Sequence, residues 1–429
     1  MSLNLFIKDQ LYKLASSGTL SLHAALSFLK LTGLSSNKKR SSSGQMVIDE
    51  VIQYLIEATS PNINSVWASV LFPAEILHPF GVRPITMEII TALLANLNVT
   101  SKLLDQSESD NIPPTMCSFH RTILGLSKTN FLRQPKFVAA TSLMCDGNVK
   151  SFSEIARQRK VPFIFLDIPF EENVDSINYA TQQLKDIIEK IADILNTSFH
   201  PNLLNQTIIC ANEAIALQKK FYNLSINCHK NIYQHHETVN FTYLMYFLLG
   251  TKRLTKIIDA RCKDITSGTS YNKFFDEPFC NKNAKKLMWL HIVPQYKTPL
   301  WGIIDNGKNS KIVCDEYSYP YFDEYDLASP LESIAKRLIR HTANGAISRR
   351  IENILKIAKD FNVDGVIHYS SWGCHQASGN IHLISKAIES AGYNFIDLNG
   401  DAVDQRNSSF EQHKVRLEAF LESMNAGHS

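Results

Sequence analysis

What most limits the fold of this chain is an alternation between short, nearly continuous apolar runs and stretches with helical spacing. VWASVLF precedes PAEILHPFG, RPITM precedes EIITALLANL, FVAATSL precedes VKSFSEIARQRK, and VPFIFLDIP precedes the long amphipathic DSINYATQQLKDIIEKIADIL. Strands that are apolar at successive positions are buried on both faces, which is the condition of a parallel sheet covered by helices. The alternation stops over 201–265, which reads as mostly helical, and then resumes. KLMWLHI, KIVCDEY, DGVIHYS and NFIDLN are the strand candidates there, with helices through LESIAKRLIR, RRIENILKIAKDF, IHLISKAIESAG and FEQHKVRLEAFLESM. The expected architecture is therefore α/β, with two parallel-sheet domains at 64–200 and 285–429. A helical connector at 201–284 joins them, and an N-terminal helical region at 1–63 precedes them, interrupted by the linker SSNKKRSSSG.

A chain of 429 residues is long enough for two or three domains at roughly 150 residues each. Its 44 basic and 41 acidic residues leave a net charge of +3, too little for a bulk electrostatic grip on nucleic acid. The opening MSLNLFIKDQLYKL lacks the basic start, apolar core and small-residue cleavage site of a secretory leader. The apolar run FTYLMYFLL is far shorter than the roughly 20 residues that span a bilayer. These features predict a cytoplasmic protein with no membrane and no nucleic-acid partner.

Eight cysteines stand at 117, 145, 210, 228, 262, 280, 314 and 374, no two closer than 18 residues. That spacing excludes a C-x-x-C knuckle and a ferredoxin-type run, and a reducing compartment would not keep disulfides. Cys210 falls in an amphipathic helix and Cys314 in a strand, so both read as core; Cys228, Cys262 and Cys280 sit in polar segments and read as exposed thiols.

Nucleotide fingerprints are missing. There is no G-x-G-x-x-G, and Gly302-IIDN-Gly307-Lys308 has Asn309 where a Mg²⁺-binding Ser or Thr should stand and runs into a strand, so it reads as a turn. The remaining cysteines are better placed. Cys145 and Cys374 follow the C-terminal ends of strands, one in each α/β unit, and Cys117 opens a helix, where the dipole favours a thiolate. Ligands of doubly wound sheets bind outside the carboxyl ends of the strands. Two such ends facing each other would bring three sulfurs together, enough for an iron–sulfur site with one iron left open. Pattern alone still favours three buried, small apolar thiols over three ligands.

The words around those cysteines carry more. PAEILHPFGVRP, the Cys117-SFHRTILG segment, Cys145-DGNVKSF with VPFIFLDIPF behind it, and DGVIHYSSWGCHQASGNIHLISKAIESAGYNFIDLNGDAVDQRNSSFEQHKVRLEAFLE resemble the 2-hydroxyacyl-CoA dehydratase family in order and spacing. That family includes benzoyl-CoA reductase subunits and double-cubane cluster proteins. The resemblance covers roughly 64–425, although His375 stands where Arg is common and Lys414-Val415-Arg416 where Thr-Arg is usual.

The resemblance implies two flavodoxin-like domains with a [4Fe–4S] cluster between them, held by Cys117, Cys145 and Cys374. It further implies an oxygen-sensitive lyase: a 2-hydroxyacyl-CoA accepts one electron, passes through a ketyl radical, loses water to become an enoyl-CoA, and returns the electron. The implied partners are the acyl-CoA, a second homologous subunit (or a second copy of the chain) and an ATP-dependent Fe–S activator protein. Two other readings stay open: a reductase of the benzoyl-CoA or double-cubane kind, with an [8Fe–9S] cluster recruiting Cys262 or Cys280, and a non-catalytic partner subunit that only stores an electron. Glu75 matches the family's Pro-x-Glu start and is a candidate to orient or protonate the departing hydroxyl, though an acid in a helix's first turn also simply complements the dipole. Ser370 and Ser371 are candidates to bond cluster or substrate, and His120 and His375 to tune potential. Asp401, Asp404 and Arg406 read as turn-fixing residues.

Overall fold

The computed structural model describes residues 10, 13, 21–33, 40–267, 273, 275, 277, 279–318 and 323–426. Each strand candidate named above contains a strand. The first sheet contains β1 (Ser65–Ala68), β2 (Arg83–Thr86), β3 (Phe137–Thr141) and β4 (Phe163–Leu166), all parallel, in the order β2-β1-β3-β4. The second contains β5 (Lys285–Leu290), β6 (Ser310–Asp315), β7 (Gly365–Ser371) and β8 (Asn394–Gly400), again parallel, in the order β6-β5-β7-β8. This is the flavodoxin-like order with one strand fewer. In each sheet the winding reverses between the two central strands, so each has its switch point there.

The connector is three helices, Pro201–Ile226, His235–Leu248 and Lys252–Thr266. The last of these packs on the N-terminal helix Ser42–Ala58: Arg253 pairs with Glu50 and Glu57, and Ser43 Oγ donates to Asp264. One hydrophobic cluster runs through both units, from Trp67 and Phe137 through Phe241 and Leu254 to Met288 and Val366. Among the described residues no helix is long and apolar enough to cross a membrane.

Several expectations need correction. PAEILHPFG forms two single 3₁₀ turns, Ala74–Ile76 and His78–Phe80, because Pro79 lacks the backbone donor that a continuing α-helix would need there. The described part of the serine-rich linker is helical from Ser42, with Ser41 as its cap, accepting from the Gly44 amide; 34–39 lie outside the described residues. Cys262 is buried and its thiol faces the Leu217 carbonyl, so it is not an exposed thiol; Cys228 and Cys280 are half-buried. Cys314 is core as expected, whereas Cys210 is only half-buried. The Gly302–Lys308 segment is a turn only in its second half: Gly302 to Ile304 belong to the short helix Trp301–Ile304, after which Asn306 Oδ1 accepts from the amides of Lys308 and Asn309 at 2.9 and 2.8 Å, and β6 follows.

Candidate functional site

Cys117, Cys145 and Cys374 each occupy the N-cap position of a helix, opening Ser118–Leu126, Asp146–Arg159 and His375–Ser378 respectively. Cysteine is not a residue that helix caps select, and none of the three makes a side-chain cap bond. Cys145 follows β3 and Cys374 follows β7, the corresponding strands of the two sheets at their switch points. All three line a single cavity of about 130 Å³ between the units.

The backbone pays strain to put them there. Met144, just before Cys145, has φ +84°, a conformation a side chain rarely adopts, and His291, just after β5, has φ +66°. Gly373, just before Cys374, has φ +71° and lies so close to the other unit that a Cβ on it would stand 2.7 Å from both the Cys117 amide nitrogen and the Thr115 carbonyl oxygen. Buried polar bonds fix this approach. Ser118 Oγ donates to Asp401 Oδ1, and the fully buried Arg121 donates to Asp404 at 3.1 Å. Trp372 Nε1 donates to the Pro114 carbonyl at 3.2 Å. Asp401 also accepts from the amides of Val403 and Asp404. The expected turn-fixing role of Asp401, Asp404 and Arg406 is therefore what the structure has, with the addition that the turn grips the Cys117 helix.

Burial dominates the electrostatics. It pushes the Cys117 thiol well up, helped by the nearby Cys374 and Cys145, and the amides of Phe119 and His120 only partly oppose it. The expected thiolate-favouring helix end is thus overridden. Cys145 is pushed up to about 11, again by burial first. His120 Nε2 lies 3.6 Å from Cys145 Sγ, and His291 Nε2 lies 3.7 Å from Cys374 Sγ. Burial lowers His120 to about 4 and, with Arg350 and His368 nearby, holds His291 well below its ordinary value; the Nδ1 of each is buried without a hydrogen-bond partner.

Of the other candidates, Ser371 lines the cavity and its Oγ accepts from the Ala402 amide at 3.1 Å. Ser370 points away, donating to Asp397 at 2.8 Å, and His375 is exposed and lines a separate outer pocket. Glu75 lines an adjoining cavity of about 60 Å³, where it accepts from Tyr325 and pairs with Arg337 at 3.5 Å; Val70, Thr242, Tyr246 and Tyr317 face both cavities. Cys228, Cys280 and Cys314 line a different, larger cavity, and Cys262 lines neither.

Sequence reasoning missed Glu88 and the connector. Glu88 is buried in the cavity wall with no side-chain partner, and burial raises it to about 7 against a smaller opposing pull from its own amide and that of Val70. His235, Val239, Thr242, Tyr243 and Tyr246 come from one face of the His235–Leu248 helix. Their i, i+4, i+7, i+8, i+11 spacing was a readable signal, masked by a run in which the other face is apolar too.

Among the described residues no group of three or more Cys, His, Asp or Glu side chains is placed to hold a metal ion. A polynuclear cluster spreads its ligands wider than one ion does, and the donor set suits it: three soft, half-buried sulfurs lining one cavity. Cys117, Cys145 and Cys374 are the residues of this cavity that could hold an iron–sulfur cluster through three protein ligands.

Fold and site together define a two-unit α/β protein with a cysteine-lined cavity where the switch points meet. The chain belongs to the family described as 2-hydroxyglutaryl-CoA dehydratase, D-component, whose profile matches residues 69–424. It is 19% identical over 372 residues to the (R)-phenyllactyl-CoA dehydratase alpha subunit of Clostridium sporogenes, covering 83% of this chain and 89% of that one. It is 20% identical over 377 residues to the (R)-2-hydroxyisocaproyl-CoA dehydratase alpha subunit of Clostridioides difficile, with the same coverage of 83% and 89%. To the lactoyl-CoA dehydratase subunit alpha of Anaerotignum propionicum it is 20% identical over 405 residues, covering 84% and 90%.

Proposed function

We propose that this chain is the cluster-bearing subunit of a cytoplasmic, oxygen-sensitive 2-hydroxyacyl-CoA dehydratase, working beside a second homologous subunit and charged by an ATP-dependent Fe–S activator. The observation that carries this reading is the convergence of Cys117, Cys145 and Cys374, from two sheets and three helix caps, on one cavity between the units. The relatives' description as alpha subunits supports the second subunit.

A [4Fe–4S] cluster held by the three thiolates would supply a low-potential electron and an open iron for a thioester carbonyl. The chain's own residues do the rest. Glu88, raised to about 7, keeps a proton close to neutral pH in a largely apolar cavity, where it can pass it to a departing hydroxyl and take one from carbon. Ser371 has a lone pair committed to the Ala402 amide and an O–H left to donate into the cavity. Glu75, clamped by Tyr325 and Arg337 in the adjoining cavity, is assigned no proton transfer here, because it does not line the cysteine cavity.

Anaerobic assay of the iron-loaded chain with activator, ATP and a series of 2-hydroxyacyl-CoA thioesters tests the reading. ATP-dependent appearance of enoyl-CoA is expected. Ring- or chain-reduced products in its place would move the chain to the reductase branch, and no conversion of any thioester, with or without a second subunit, would refute catalysis.

A further inference from the structure

The cysteine cavity has a charge character that bears on the substrate. Val70, Phe119, Met144, Val239, Ile292 and Val293 form its apolar walls, and three tyrosine rings complete them. No Lys or Arg is among its described lining residues, and its only carboxyl groups are Glu88 and Asp315. The arginines near the cavity are already committed: the fully buried Arg121 is bonded to the Met116 carbonyl, Glu108 and Asp404. Arg337, behind the Tyr246 and Tyr317 wall, is paired with Glu75 and bonded to Tyr325. Arg350 holds Glu316 through two hydrogen bonds of 3.1 and 2.8 Å and gives a third to the Gln376 carbonyl.

A buried carboxylate without a cation is among the costliest arrangements a protein can hold, and recruiting any of these arginines would strand its present partners. Neutral oxygens fare differently. The hydroxyl of Tyr243 and Nε2 of His235 are buried in this wall without hydrogen-bond partners, and each can meet a hydroxyl or a carbonyl.

From this we infer that the cavity selects a 2-hydroxyacyl thioester whose acyl side chain is an uncharged hydrocarbon or aromatic group and rejects one that ends in a carboxylate. The inference rests on the dehydratase reading for the location of the acyl group. It adds a substrate class that separates this chain from members acting on dicarboxylic acyl groups, and it makes Val239, on the cavity face of its helix, a place where one added cation should change the selection.

A matched pair of thioesters tests it: 2-hydroxyglutaryl-CoA and 2-hydroxy-5-methylhexanoyl-CoA, in which two methyl groups replace the two carboxylate oxygens. The full chain, iron-loaded and assayed anaerobically with its activator and any second subunit, should show kcat/KM at least about 100-fold higher for the hydrocarbon member. Calorimetric binding of the non-reacting glutaryl-CoA and 5-methylhexanoyl-CoA to the unmutated chain should show the same preference in Kd. Val239→Arg should narrow the kcat/KM ratio at least about tenfold. Equal handling of the two members, or preference for the carboxylate, overturns the inference and leaves the dehydratase reading standing. Discrimination in binding without dehydration supports the selectivity and refutes the dehydratase reading, whereas binding of neither member overturns both.

Discussion

Gly373 rests directly on the backbone of Cys117: a Cβ added to it would lie 2.7 Å from the Cys117 amide nitrogen, closer than real Cβ contacts come. The residue beside one candidate ligand thus sets the approach of the helix that carries another. Gly373→Ala places a side chain both in that gap and at φ +71°. A stability loss of about 1–3 kcal/mol by denaturant titration is expected, with reduced iron uptake on anaerobic reconstitution. Iron content and unfolding like those of the unmutated chain would show that the two loops do not need this contact.

Asp401 is the polar counterpart of that contact. It is fully buried and accepts from Ser118 Oγ, the Val403 and Asp404 amides and Asn407 Nδ2. Asp401→Ala strands all four donors and is expected to cost about 3–5 kcal/mol, whereas Ser118→Ala, which removes one bond, should cost about 1 kcal/mol. Urea unfolding of both variants checks this. Equal losses would mean that Asp401 does not tie the two units together.

Glu88 gives a pH dependence with a defined sign. Its folded value of about 7 lies above the ordinary 4.5, so between these the folded chain holds a proton that the unfolded chain releases. Stability from this group is present below pH 4.5 and is lost as pH rises to 7, by on the order of 3 kcal/mol. Glu88→Gln, which cannot ionise, should therefore gain stability relative to the unmutated chain as pH rises from 5 to 8. A difference that stays constant over that range would show that the carboxyl is not held protonated by burial.

How much of this was legible beforehand follows from which signals are local. The central strands were readable as short runs apolar on both faces, as in FVAAT and GVIHYSS, and the edge strand NFIDLNG from its alternating apolar positions, while the turn before β6 was readable because Asn309 stands where Ser or Thr would and a strand follows. The 3₁₀ turns at Glu75 were not, since the apolar spacing of PAEIL suits a helix and only Pro79 forbids its continuing. Cysteine positions at strand ends were visible; the wall facing them was not. Glu88 lies in what reads as an ordinary helix start, and its burial without a side-chain partner is a property of three segments meeting. His291 earns its place through a left-handed φ after β5, which nothing in KLMWLHI announces. Cys262 shows the reverse error: polar neighbours in sequence surround a helix face that is buried in space.

The most direct test of the central claim is anaerobic quantification of iron and sulfide, with EPR, on the full chain and on Cys145→Ala, Cys374→Ala and Cys210→Ala. Cys145 and Cys374 line the cavity, and Cys210 sits elsewhere, half-buried in the Pro201–Ile226 helix. The predicted result is a brown protein with about four irons and four sulfides per chain and a cluster signal after reduction, retained in Cys210→Ala and sharply reduced in the other two. A colourless, iron-free chain after reconstitution, or equal iron in all three variants, would contradict the account.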